Sequence, residues 1–522
     1  MGDEELGPSI GLCASYVALF FGGFYFIFAL KYYISTIIAL IFLTRDANRV
    51  SSILKNEMGK SENIQGLPID PFISIHLPFF NEINVARRVI QACIDLDYTN
   101  YEILVADDSV DDTIQIMKNR EWRITNPIIK FVHRKDRTGF KGGALQAAQK
   151  YMHPQSKFVM VFDADFVPPP TIIHDFLNHY RKVENSGKPV AAVQGYQLHY
   201  LNKTENWVTK GVRAEFSGSY MVERVAEEVF GAMKMISGSV FLLSTEVLKT
   251  LGWTTSITED WELTLRLYLE GYRVVYTPLI QAPAEIPNTL TKIARQRMRW
   301  AEGHTYAVKK YFWKILLSNK LTISEKLEFL YFTPYYLQSF FFIIGTLSLI
   351  LSEIFRQRPA FWTPTLGWGL IISNFFAIPL MGLAGLFLEG DLREDYSGIF
   401  SFIAISYFIT PYQAYAALKG LFEGEEGNWI RTLKTGNITD NVFTIKFRSF
   451  IKWLRKLRGD NLQKITEGSR TGVIFLTKKV LIVTCFILIA LPFTDAFIQI
   501  FRVLGTELTD YLLFIIGVRK NG

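Results

Sequence analysis

The chain has 522 residues, 49% of them hydrophobic and only 20% charged, with a formal net charge of +7. That length accommodates two or more domains, and the apolar excess favours a membrane protein with a sizeable soluble part. The positive surplus suits anionic lipid or a pyrophosphate but is too small for a nucleic-acid binder, and Cys13, Cys93 and Cys485, without metal-ligand spacing, exclude a disulfide scaffold.

The first apolar segment, 10–43, is interrupted only by Lys31. It is longer than the ~20 residues of a single crossing. It reads as an uncleaved anchor (domain 1–50), either one long helix or one crossing plus an interfacial turn. Arg45 and Arg49 follow it, whereas Asp3, Glu4 and Glu5 precede it, so the chain after the anchor is expected on the cytoplasmic side.

Residues 70–321 read as a soluble α/β domain. Short β-branched runs at 72–77, 103–106, 128–133 and 158–162 alternate with helical spacing at 85–96 and 142–151. Such alternation predicts a mostly parallel sheet with helices on both faces, and active sites at the carboxyl ends of its strands. Beyond it, 322–421 reads as transmembrane and interfacial helices, with spans at 331–354 and 368–388. The 400–421 stretch, which contains Pro411, is a third span or an interfacial helix. A polar segment, 422–475, carries a basic amphipathic stretch at 447–458 suited to an anionic leaflet. The C-terminal region, 476–522, contains a last span at 480–500.

Four motifs lie in the α/β domain. Asp107-Asp108-Ser109 directly follows a strand, where carboxylates can accept hydrogen bonds from a base and ribose; a turn with an N-cap would use the same residues. Asp163-Ala164-Asp165 follows the apolar strand 158–162, and two carboxylates at that spacing can hold a hard divalent cation. Thr258-Glu259-Asp260 opens a helix that Gly271 terminates. Acidic residues there satisfy the helix dipole, or Glu259 and Asp260 supply a general base for an acceptor hydroxyl. In Gln296-Arg297-Met298-Arg299-Trp300, helical spacing puts Gln296, Arg299 and Trp300 on one face. The guanidinium suits a phosphate oxygen and the ring a sugar face, although an interfacial tryptophan would also explain the pattern. Asn81 and Glu82, after the first strand, and Lys141, in a glycine-rich helix start, are further nucleotide-site candidates. There is no Walker loop, and no G-x-G-x-x-G follows the first strand.

Taken in order, these motifs resemble the D, D, D, Q-x-x-R-W signature of the processive family 2 glycosyltransferases, among them cellulose, chitin and hyaluronan synthases and cellulose-synthase-like mannan synthases. The resemblance covers 70–300 and, more loosely, the flanking helices. It implies a nucleotide-diphospho-sugar transferase type A domain and inverting transfer from a UDP- or GDP-linked sugar to a growing β-linked polysaccharide. By the resemblance Asn81, Glu82, Asp107, Asp108, Lys141 and Asp163 would hold the nucleotide, and Asp163 and Asp165 would hold Mg²⁺ or Mn²⁺. Asp260, with Glu259, would be catalytic, and Gln296, Arg299 and Trp300 would bind the acceptor. The stretch Trp429-Ile430-Arg431-Thr432-Leu433-Lys434 is similar to the F-x-V-T-x-K gating loop of cellulose synthases, with Thr432 and Lys434 matching and Trp429 and Arg431 differing. The implied setting is a multi-pass protein of the plasma membrane, or of the Golgi membrane in a eukaryote, with a cytoplasmic catalytic domain. The competing enzyme reading is a non-processive transferase acting on a lipid-linked acceptor, which has no need of the Gln296–Trp300 helix.

Overall fold

A computed structural model of the chain describes residues 3–57, 69–118, 122, 127–184, 187–355, 364–427, 432, 434–439 and 463–496. The chain divides into two compact units, one of Met1–Ile37, Phe341–Met381 and Thr466–Gly522, the other of Ile38–Phe340 and Gly382–Ile465. Helix α1 (Asp3–Glu57) runs unbroken for 55 residues, about 80 Å at the rise of an α-helix. Of the two readings of the first apolar segment, the long continuous helix is therefore the one observed.

The α/β fold follows. Its strands are β1 (Phe72–Phe79), β2 (Tyr101–Asp107), β3 (Ile128–His133), β4 (Ser156–Val161), β5 (Val190–His199), β6 (Phe241–Ser244) and β7 (Arg273–Ala284). They form one sheet in the order β3-β2-β1-β4-β6-β5-β7. Neighbours are parallel except around β6, which runs antiparallel to both β4 and β5. The helices are α2 (Ala86–Ile94), α3 (Thr113–Lys118), α4 (Phe140–Gln149), α5 (Ile172–Glu184), α6 (Trp207–Gly218), α7 (Arg224–Val229), α8 (Thr245–Leu251), α9 (Glu259–Leu269), α10 (Leu290–Leu317) and α11 (Ile323–Phe332).

Strand β4 shows why the apolar runs look continuous. Phe158 and Met160 enter a core with Ile73, Ile75 and Leu77 of β1 and Phe176 of α5. Val159 and Val161 enter the opposite core, with Leu243 of β6 and Trp261 and Leu265 of α9. A strand buried on both faces cannot alternate with polar residues. The reversed strand β6 also matters for the site. Pairing of Phe241 with Val161 brings the residues just before β6, Gly238 and Ser239, beside the carboxyl end of β4.

Helices α12 (Gln338–Ile354), α13 (Pro364–Glu389), α14 (Leu392–Asp395), α15 (Gly398–Phe422) and α16 (Gln463–Ala490) complete the described chain. Ser9–Leu43, Thr365–Glu389 and Leu476–Ala496 are long and apolar enough to cross a membrane. The span expected at 331–354 is interrupted. Helix α11 ends at Phe332, the chain turns through Pro334, and helix resumes at Gln338 for 17 residues. Proline removes a helical N–H and disfavours helical geometry in the residue before it. The 400–421 stretch forms the single helix α15, with Pro411 inside it. The basic stretch 447–458 and residues 497–500 of the last expected span lie outside the described residues.

Within the first unit, helices are joined by the few polar groups available. Tyr33 Oη donates to the Ser373 carbonyl at 2.5 Å, and Asn374 Nδ2 donates to the Gly22 carbonyl at 3.0 Å. Gly369 lets two backbones meet, since a Cβ there would lie 2.7 Å from Pro492 Cα. Small residues and interhelical hydrogen bonds are what hold helices together where lipid removes the hydrophobic drive.

Candidate active site

The site is built at the carboxyl edge of the parallel strands, and it begins where β1 and β2 end. Asp107, the last residue of β2, is fully buried; its carboxylate accepts the Ser109 N–H at 3.1 Å and meets His133 Nδ1 at 2.5 Å. Asp108 is gripped by Arg134 in a two-pronged pair, with Nε 2.7 Å from Oδ1 and Nη2 2.5 Å from Oδ2. Burial raises the Asp108 pKa despite that guanidinium. Asn81 sits at φ +57°, a left-handed conformation that asparagine tolerates better than most residues. Its N–H donates to Ser109 Oγ at 2.8 Å and its Oδ1 accepts the Val110 N–H at 2.8 Å, so it locks the β1 loop to the β2 loop. The Glu82 carbonyl accepts the Val85 and Ala86 N–H groups at the entry to α2.

Asp163 and Asp165 follow β4. The Asp163 N–H donates to Ser239 Oγ at 3.0 Å, a contact that exists because β6 is reversed. Lys141, at the start of α4, ties the motifs together. Its Nζ lies 2.8 Å from Asp163 Oδ1 and 3.2 Å from Glu259 Oε1, and it donates to the Gly238 carbonyl at 2.8 Å. Burial works against the Lys141 charge, but Asp163, Glu259 and Asp260 outweigh it and hold the ammonium protonated. Asp260 is close by, since a Cβ on Gly238 would fall 2.9 Å from Asp260 Oδ2.

Asp165 is engaged differently. Lys434 Nζ lies 2.6 Å from its Oδ2 and also donates to the Glu285 carbonyl at 2.8 Å. The buried Glu285 carboxylate accepts the Thr435 N–H at 2.6 Å and the Gly436 N–H at 3.0 Å, with Arg88 Nη2 at 3.4 Å. Gly436 adopts φ +79°, which glycine takes without strain. Burial disfavours the charged form of both carboxyls of the Asp163-Ala164-Asp165 motif, and Lys141 at Asp163 and Lys434 at Asp165 oppose it. The balance leaves the Asp163 pKa raised and that of Asp165 lowered. The two carboxylates offer only oxygen atoms, and each already faces an ammonium, Lys141 at Asp163 and Lys434 at Asp165. That chemistry fits a hard divalent ion. Among the described residues no third His, Cys, Asp or Glu converges there, which leaves the other positions to phosphate and water.

Asp260 stands in the first turn of α9. Its Oδ1 accepts the Trp261 N–H at 2.8 Å. Burial, reinforced by the Glu259 charge and opposed by Lys141 and Arg299, pushes its pKa up to about 7. Arg299 reaches over from α10, whose N-terminus is capped by Thr289, and donates to the Ile257 carbonyl at 3.1 Å. Gln296, Arg299 and Trp300 share one helix as the spacing predicts. Arg297 lies over the Trp300 ring at 4.5 Å and pairs with Glu215 at 2.8 Å, fixing the half-buried indole from behind.

The structure thus gathers Asp163, Asp260, Glu259, Lys141 and Arg299 into one electrostatic cluster. Asp165 and Lys434 form a further pair, and Thr432 is among the described residues. Trp429 and Arg431 lie outside the described residues. Several partners escaped the sequence reading, namely Arg134, Arg88, Ser239 and Glu285. Arg134 had a signal, since it heads a cationic turn directly after β3; Glu285 had none.

The profile of the family described as "Glycosyl transferase family group 2" matches residues 158–418, half of the chain. A probable glucomannan 4-beta-mannosyltransferase 6 from Oryza sativa subsp. japonica is 28% identical over 383 residues, 70% of this chain and 63% of the rice protein. The chain therefore spans less than two thirds of that relative. Glucomannan 4-beta-mannosyltransferase 7 from Arabidopsis thaliana is 26% identical over 431 residues, 78% of this chain and 74% of that protein. Among solved structures, the mannosyltransferase PcManGT from Pyrobaculum calidifontis, in complex with GDP-Man and Mn²⁺, aligns with a TM-score of 0.47 at 17% identity. That alignment covers 80% of this chain and all of the other.

Proposed function

Because the chain belongs to glycosyl transferase family group 2, we propose that it is a membrane-bound inverting transferase extending a β-linked polysaccharide from a nucleoside-diphospho-sugar. One observation carries this reading. Lys141 pairs both with Asp163, in the aspartate motif after β4, and with Glu259, whose neighbour Asp260 is a half-buried carboxyl with a pKa pushed up to about 7. A base with that value is half ionised near neutrality, the range in which general-base catalysis works best.

Asp107, Asp108 and Asn81 order the loops that receive the nucleoside. Asp163 and Asp165 would hold Mg²⁺ or Mn²⁺ on the pyrophosphate. When bound, that ion supplies positive charge to the departing diphosphate. Asp260 takes the proton of the acceptor hydroxyl as its oxygen bonds to the anomeric carbon. The bond from that carbon to the diphosphate oxygen breaks, and the leaving group takes the electron pair. A single displacement turns an α-linked donor into a β-linked product. Arg299 and Lys141 add fixed positive charge beside the reacting groups, and Trp300 offers a ring for the acceptor sugar. The names of the plant relatives put a mannosyl donor first among those to test. Arg45 and Arg49 after the first span support a cytoplasmic catalytic domain.

Membranes carrying the chain, given labelled GDP- and UDP-sugars with Mg²⁺ or Mn²⁺, should incorporate one sugar into high-molecular-weight product. Trp300→Ala should bind donor normally and fail to make long product. Label appearing only in lipid-extractable product would overturn the polymer reading in favour of a lipid-linked acceptor.

A further inference from the structure

The loop ahead of Asp260 is held by a residue outside the four motifs of the α/β domain. The loop 252–258 that leads into α9 has little regular structure of its own, so something else must set the direction in which α9 starts. Glu426, just beyond α15, meets that loop. Its Oε1 accepts Ser256 Oγ–H at 2.8 Å and its Oε2 accepts the Ile257 N–H at 3.0 Å. The Ile257 carbonyl, on the other side of the residue, accepts Arg299 Nη1 at 3.1 Å. Ile257 is therefore gripped through both its N–H and its carbonyl, three residues before Asp260. Ser256 Oγ in turn accepts the Thr258 N–H at 3.2 Å, carrying the restraint to the residue before Glu259.

Glu426 is itself fixed by α10. The Gly427 N–H donates to Glu302 Oε1 at 2.6 Å, and Lys419 Nζ reaches the same oxygen at 2.9 Å. Tyr306 Oη donates to the Gly424 carbonyl at 3.0 Å, and Lys309 Nζ donates to the Glu423 carbonyl at 2.6 Å. Helix α10 packs directly on the gripped loop as well, because a Cβ on Gly303 would fall 2.6 Å from Thr258 Oγ1. The helix that carries Arg299 and Trp300 thus sets Glu426, and Glu426 sets the loop ahead of the base.

We infer that Glu426 is a positioning residue for Asp260, aligning the base with the acceptor held on α10; the inference rests on the transferase reading above. A misplacement of a reacting group by about 1 Å can cost about 10²-fold in rate. Glu426→Ala should therefore lower kcat by about 10- to 10²-fold, with KM for donor and the affinity for nucleoside diphosphate with Mn²⁺ within about twofold of wild type. Glu426→Gln keeps an oxygen for the Ile257 N–H and an amide that can donate to Ser256 Oγ, so it should recover most of that loss. Hydrogen exchange of the full-length protein in detergent, without substrate, should quicken at the amides of Ile257 and Thr258 in the alanine variant and stay slow in the glutamine variant. Normal kcat in Glu426→Ala, or an equal loss of kcat and nucleotide affinity, overturns the positioning role. Quickened exchange in a protein whose wild type transfers sugar from no donor overturns the transferase reading, and the catalytic role of Glu426 with it.

Discussion

Asp165 and Asp260 are both carboxyls drawn into the same sheet edge, yet their surroundings drive them apart. Asp165 has an ammonium 2.6 Å away, and Lys434 outweighs burial to leave its pKa below the ordinary value. Asp260 has no ion-pair partner among the described residues, and burial with Glu259 beside it lifts its pKa to about 7. Desolvation penalises the charged form of any buried carboxyl, and a nearby cation does not always outweigh it: Lys434 does so at Asp165, whereas Lys141 at Asp163 and Arg134 at Asp108 do not. The contrast teaches a division of labour. A carboxyl kept ionised suits a cation, and one poised near neutrality suits proton transfer.

The sharpest way to break this comparison is to remove the poised member. Asp260→Asn should lower kcat by about 10²–10⁴-fold, the usual scale of general-base catalysis, with nucleoside diphosphate binding in calorimetry almost unchanged. Equal loss of binding would place Asp260 in the nucleotide site. A smaller effect comes from pH. Wild-type turnover should fall about tenfold for each pH unit below about 7 and level off above it, because only the ionised base accepts the proton. The same group has a stability signature. Its folded pKa lies above the unfolded value, so its contribution is fully present below the unfolded pKa and lost as pH rises through about 7. Melting curves should show Asp260→Asn more stable than wild type at pH 8 and equal to it at pH 4. The smallest effect is at the paired member. Lys434→Gln removes the cation that competes at Asp165, and Mn²⁺ binding without donor, followed by electron paramagnetic resonance, should tighten several-fold. Weaker Mn²⁺ binding in that variant would mean that Lys434 supports the cation site instead of filling it.

The strands that precede the first two acidic motifs were legible from the amino acids alone. Apolar β-branched runs of strand length announce β1 to β4, and chemistry placed directly after such runs falls at the carboxyl edge of a parallel sheet. Strands β5 to β7 were less legible. The reversal of β6 that puts Ser239 on Asp163 left no local trace, because strand direction depends on how the chain returns to the sheet. The turn at Pro334 was readable in principle, but apolar content on both sides concealed it. Helical spacing correctly gathered Gln296, Arg299 and Trp300 on one stretch of α10.

What the amino acids determined by themselves is therefore the set of candidate groups and the strand ends and helix starts on which they stand, since both follow from local periodicity and residue chemistry. What only the tertiary structure decided is how each group is tuned and held. Lys434 meets Asp165 across 269 residues, Glu426 meets Ile257 across 169, and Lys141 meets Gly238 across 97. Burial and ion pairing set a carboxyl's protonation through distances of a few ångströms in space, and those distances exist only once the strands, the reversed β6 and the segment after α15 have come together.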